Sequence, residues 1–208
     1  TAGLFPVIAI VFFVRSFLFE PFRIPSGSML PTLHVGDFIL VNKYEYGIRL
    51  PVTNWKIIPL GSPQRGDVVV FKDPNNWLNE EQSSAPGGGY LIKRLIGLPG
   101  DVVECKGAGQ PVTINGVAIN ETSYIRPGVD PSAFPFSVTV TEGRVFVMGD
   151  NRANSADSRY HQDDSSHGLV PVSDVVGVGL VKYWPLNHIS TLDAHHDVFK
   201  DVPEGSAD

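Results

Sequence analysis

Residues 112–119 read Val112-Thr113-Ile114-Asn115-Gly116-Val117-Ala118-Ile119. Two short β-branched runs flank an Asn-Gly pair. Both turn positions of a two-residue hairpin need positive φ, which Asn and Gly tolerate, so the stretch predicts a tight antiparallel hairpin. Outward from it the same grammar repeats. Val35 to Val41, Asp67 to Phe71, Ser137 to Thr141, Val145 to Met148 and Val175 to Tyr183 are short apolar runs bounded by Gly, Pro or Asp, and each reads as a strand. Gly and Pro number 21 and 17 of 208 residues, frequent enough to punctuate short strands throughout. These features predict a mainly β domain, with folded-over antiparallel sheets or a barrel-like closure.

The apolar fraction is 42%, which supports a real core and excludes disorder for most of the chain. The net charge is −6 with no basic run, so nucleic acid is excluded as a partner class. The single cysteine, Cys105, permits no intrachain disulfide and reads as a small buried hydrophobe.

The first residues break the β pattern. Leu4 to Val14 is uncharged, Arg15 follows, and Ser16-Phe17-Leu18-Phe19 continues. Spanning a bilayer takes about 20 apolar residues, more than this run supplies. A cleaved signal peptide would need a basic start and a small-residue cleavage site, and neither is seen. A buried core helix is one alternative. The reading taken is the end of a transmembrane or interfacial anchor helix, with Arg15 snorkelling to an interface. The predicted organisation is an anchor over 1–19, a β-rich domain over 20–189 and a polar, flexible tail over 190–208. The loops Asp73 to Gly89 and Tyr160 to Gly168 are hydrophilic.

Three segments combine small, polar and glycine residues beside apolar runs. Pro25-Ser26-Gly27-Ser28-Met29-Leu30-Pro31-Thr32 is either a surface turn or a turn that exposes a hydroxyl. Leu91-Ile92-Lys93-Arg94-Leu95 places Lys93 on a strand face shared with Leu91 and Leu95. A lysine so placed either snorkels or pairs at the surface, or loses hydration and with it basicity. A base at neutral pH needs a fall of about two to three units from the free value of about 10.4. Gly149 to Arg159 (GDNRANSADSR) is either a loop bracing a site from behind or an ion-paired loop. Asp193-Ala194-His195-His196-Asp197 is rich in metal-ligating types, but adjacent histidines in a polar tail seldom converge, and no spaced His/Cys set accompanies them.

In their order along the chain these segments resemble the type I signal peptidases, the bacterial leader peptidases. Ile24 to Leu33 is similar to the nucleophile segment. Gly36 to Val41, Arg65 to Phe71, Ile92-Lys93-Arg94 with Gly97 to Asp101, and Gly149 to Arg159 are similar to the later blocks. The resemblance covers residues 4 to 185. It implies a membrane-bound serine endopeptidase with Ser28 as nucleophile and Lys93 as base. The oxyanion donors it implies are the Ser28 N–H and the Ser26 hydroxyl. It gives Ser155 the task of aiming the lysine amine and makes Asp150, Arg152, Asp157 and Arg159 supports of the loop. Phe22, Ile24, Met29, Leu33, Leu91 and Ile92 would line shallow apolar pockets for an Ala-x-Ala cleavage pattern. The implied substrates are signal-bearing exported preproteins. The implied location is the cytoplasmic membrane, in contact with lipid, with the catalytic domain on the outer side. No cofactor or metal is implied. Ala153 stands where many members carry an acid. The stretch between the lysine block and the last block is short, which implies no large inserted subdomain, and the loop 160–168 takes no role from the family. Two other readings of the residues are a self-cleaving repressor-type Ser-Lys peptidase, which would carry a DNA-binding helical domain, and a non-catalytic membrane-tethered β module, which need not retain both Ser28 and Lys93.

Overall fold

The structure, a computed structural model, describes residues 3–43, 62–78 and 89–206. Helix α1 (Leu4–Leu18) is followed by strands β1 (Phe19–Arg23), β2 (Phe38–Lys43), β3 (Val68–Lys72), β4 (Tyr90–Gly97), β5 (Val102–Cys105) and β6 (Val112–Ile114). Then come β7 (Val117–Ala118), β8 (Phe136–Thr139), β9 (Arg144–Met148), β10 (Val170–Pro171), β11 (Val175–Trp184) and β12 (Ser190–Thr191). They form two sheets, all of whose pairings are antiparallel. The larger runs β1-β2-β11-β3-β4-β9-β10, with β12 on β11; the smaller runs β7-β6-β5-β8.

The Asn-Gly hairpin forms as its residues require. Asn115 has φ 52° and Gly116 φ 81°, and Ile114 pairs with Val117 across the turn. The Asn115 side chain also accepts from the Val102 N–H (2.8 Å) and donates to Asp101 (2.9 Å), so the turn is tied to the head of β5. Residues 102–139 thus make a small four-stranded sheet between the lysine block and the last block. A cluster containing Ile96, Val103, Ile114, Phe146 and Met148 joins it to the larger sheet.

Strand β11, near the end of the chain, is inserted between β2 and β3. Gly177 permits this, because a Cβ there would lie 2.0 Å from the Asn42 carbonyl oxygen. Four predicted strands match β3, β8, β9 and β11 to within a residue or two. The run expected from Val35 begins at Phe38, since Gly36 (φ 89°) and Asp37 form a turn. Strand β1 was hidden by its apolar neighbours and by Pro21, which an edge strand tolerates.

Helix α1 has 15 residues, and among the described residues no helix is long and apolar enough to cross a membrane. The side chains from Leu4 to Phe12 are exposed, which overturns the alternative of a buried core helix. The expected fraying from Ser190 does not hold either. Phe199 and Val202 are buried in the cluster between the sheets, and the Pro203 carbonyl accepts from Arg65 and Asn115. Two apolar side chains and a satisfied backbone carbonyl hold the tail down despite its polar composition. Residues 79–88 of the loop Asp73 to Gly89 lie outside the described residues.

Candidate active site

Strand β4 is buried from Leu91 to Gly97 and carries two cations, Lys93 and Arg94, on opposite faces by strand alternation. The Lys93 face shares a cluster with Leu91, Leu95, Val69 and Phe71. Lys93 is 4% exposed. Its Nζ lies 2.7 Å from Ser28 Oγ. When the amine is charged it donates to the serine; when neutral it can accept the serine proton. Burial lowers the Lys93 pKa from 10.5 to about 8, and the carboxylates of Asp157 and Asp150 keep it from falling further. The Ser26 hydroxyl donates to Ser28 Oγ at 3.3 Å.

The turn carrying Ser28 is held by the loop 149–159. The Asn151 N–H donates to the Ser28 carbonyl at 3.0 Å, and its side-chain amide to the Gly27 carbonyl at 2.9 Å. Gly149 fits between this turn and Ser155. A Cβ at Gly149 would lie 2.1 Å from Ser155 Oγ and 2.5 Å from the Ser28 oxygen. That is inside van der Waals contact with a backbone atom, so only glycine lets the loop approach.

The four loop supports are buried and split among three ion pairs. Asp150 takes Arg94 bidentately, at 2.8 and 2.7 Å, and also accepts from the Thr32 hydroxyl. Arg152 pairs with Glu121 and donates to the Gly149 carbonyl at 2.9 Å. Asp157 takes Arg159 at 2.9 Å through both oxygens and accepts from the Gly149 N–H at 3.0 Å. Burial alone would raise the Asp157 carboxyl; the Arg159 hydrogen bonds and charge reverse this and hold it below its ordinary range. Each carboxylate near Lys93 is therefore already matched to an arginine. Burial therefore outweighs their pull, and the amine stays depressed.

Ser155 differs from expectation. Its buried hydroxyl makes no bond to Lys93; it lies beside Asp157 instead, whose carboxyl it helps to hold down. Of the six apolar pocket candidates, Phe22, Ile24, Met29, Leu33 and Ile92 share one buried cluster beside the nucleophile turn, whereas Leu91 belongs to the cluster on the other face of β4. The sequence alone assigns no individual role to Arg94, Thr32, Asn151, Gly149 or Glu121. Arg94 had a signal, a second cation in an apolar strand. Glu121 had none, because it lies beyond β7, far along the chain from its partner.

No histidine touches Ser28 among the described residues. His34 and His188 face Asp37, His196 faces Asp67, and His195 faces Asp193. His161 stacks on Trp77, and His167 lies against the Gln162 carbonyl. The His195-His196 pair in the tail thus diverges to two different carboxylates.

A family model described as "Signal peptidase, peptidase S26" matches residues 2–184. The chain belongs to this family. A Signal peptidase I of Pseudomonas aeruginosa is 42% identical over 221 residues, covering 90% of this chain and 73% of that one. One of Pseudomonas fluorescens is 41% identical, with the same coverage. One of Mycobacterium tuberculosis H37Rv is 36% identical, covering 86% of this chain and 70% of that one. A crystal structure of a signal peptidase I from Enterococcus faecalis V583 shares 32% identity, with a TM-score of 0.39 over 57% of this chain and 97% of that chain. As a signal peptidase the chain is a hydrolase of the serine endopeptidase kind.

Proposed function

We propose that this enzyme cleaves signal segments from exported preproteins at the outer face of the cytoplasmic membrane, by a Ser28–Lys93 dyad. One observation carries the reading: a buried amine, depressed to about 8, lies 2.7 Å from a serine hydroxyl. Neutral Lys93 takes the proton as Ser28 Oγ attacks the scissile carbonyl. It passes that proton to the leaving amine, which departs and leaves an acyl ester on Ser28. It then deprotonates the water that hydrolyses the ester. The Ser28 N–H and the Ser26 hydroxyl stabilise the oxyanion. Ser155 steers the amine by turning its buried hydroxyl from the neighbouring Asp157 carboxylate toward Lys93. No metal or cofactor takes part in these steps.

The preference for small side chains such as Ala at the two recognition positions rests on the family; Ile24, Met29 and Leu33 are almost fully enclosed and form the packed floor beneath that surface. Membrane attachment is supported by the exposed apolar side chains of α1 and by Trp184, Leu186 and Ile189, exposed near the end of the large sheet. Holding enzyme and signal segment on one membrane raises their effective concentration.

The test is cleavage of a signal-bearing precursor by detergent-solubilised protein. Wild type should cut after Ala-x-Ala, a precursor with Leu at either Ala position should resist, and Ser28→Ala should be inert. Equal cleavage by Ser28→Ala would overturn the assignment.

A further inference from the structure

We propose that His34, Asp37 and His188 form a binding site for a borderline transition-metal ion of the zinc class, separate from the Ser28–Lys93 pair. The three groups come from two places in the chain: the turn ahead of β2, and the 3-10 turn Leu186–His188 that follows β11. Their ligand atoms all lie within 4.8 Å of one another. His188 Nδ1 is 2.8 Å from Asp37 Oδ1, and His34 Nδ1 is 3.8 Å from Asp37 Oδ2. Metal bonds of about 2.0–2.2 Å to imidazole and carboxylate place tetrahedral ligands roughly 3.3 Å apart, so small side-chain rotations bring the three donors onto one ion.

The site is prearranged. Asp37 is 1% exposed, and its carboxylate is aimed by the His34 N–H at 2.8 Å. Backbone bonds fix the turn, from the Ile24 N–H to the Asp37 carbonyl and from the Gly36 N–H to the Ile24 carbonyl. Such fixed support of a ligating carboxylate is what metal sites need. Both imidazoles are partly exposed, His34 the more so, which leaves a path for the ion and an open fourth position for water. Two nitrogens and one oxygen favour Zn²⁺, Co²⁺ or Cu²⁺ over Ca²⁺ and Mg²⁺, which prefer oxygen cages. One group opposes the ion: Lys182 Nζ lies 3.6 Å from Asp37 Oδ2 and also donates to the Thr32 carbonyl. Its charge weakens the site.

The rival histidines sit in the tail, where His195 and His196 face different carboxylates. The test is calorimetric titration of the full chain with ZnCl₂, alongside the visible spectrum with Co²⁺. Wild type should take up a single Zn²⁺ and give tetrahedral Co²⁺ bands. His34→Ala and His188→Ala should each weaken binding by at least about tenfold, since even supporting groups are worth 10- to 100-fold. Lys182→Met should strengthen it, and the double variant His195→Ala/His196→Ala should leave it unchanged. Because His34 and His188 are at the surface, a matching circular dichroism spectrum checks that both variants fold. No zinc uptake by wild type, or uptake that survives His34→Ala and His188→Ala, would overturn the site. Precursor cleavage in chelator is read separately, so loss of the zinc site leaves the dyad assignment standing.

Discussion

Replacing Lys93 with Met removes the buried amine and keeps its volume. In the folded chain the Lys93 pKa is lowered from 10.5 to about 8. The unfolded state therefore binds the proton more readily. The cost to folding is absent above the unfolded value, grows as pH falls from about 10.5 to 8, and is full and constant below 8. Two and a half units correspond to about 3 kcal/mol. Met avoids that cost but loses the hydrogen bond to Ser28, worth about 1 kcal/mol. The net expectation at pH 7 is a gain of about 2 kcal/mol. In a chain of this size each kcal/mol moves the melting temperature by about 2–4 °C, so Lys93→Met should melt about 4–8 °C higher at pH 7. The gap should shrink towards pH 10 and the variant should be inactive. The wild-type rate supplies the second arm. With a pKa near 8, the neutral fraction of Lys93 rises from about 1% at pH 6 to about 90% at pH 9, so kcat/KM should climb nearly a hundredfold. A Met variant that melts lower at pH 7, together with a wild-type rate flat from pH 6 to 9, would show Lys93 to be a charged structural residue.

Other outcomes follow from the same geometry. Lys93→Arg should be inactive in precursor cleavage, because a guanidinium stays protonated. Ser26→Ala should lower kcat by about 10² to 10³ with little change in KM, as expected for a lost oxyanion donor; steady-state kinetics reads this. Gly149→Ala should destabilise the fold and abolish cleavage, since its Cβ would meet the Ser28 carbonyl oxygen at 2.5 Å; melting and activity assays check both. Arg94→Met should cost about 3–5 kcal/mol in denaturant unfolding, because it leaves the Asp150 carboxylate buried without its cation.

Local residue pattern was enough for the strand and turn units and for the chemistry-bearing segments. Asn115-Gly116 fixed a hairpin through backbone conformation alone. The runs at β3, β9 and β11 declared strands because β-branched residues between Gly, Pro and Asp have few other choices. Ser28, Lys93 and the 149–159 loop were legible because small, polar and cationic residues stood in apolar surroundings, and because their order resembles a known family. The folded chain set everything that depends on contacts between distant residues. It placed β11 between β2 and β3 and joined Arg152 to Glu121. It buried Phe199 and Val202 although the tail around them is polar. It separated Leu91 from the other pocket candidates by strand alternation, and left Ser155 without the partner expected for it. It also brought His188 to His34 and Asp37 across most of the chain. Pairings of this kind carry no local pattern. They are set by which surfaces the folded sheets press together, and sequence periodicity does not encode that.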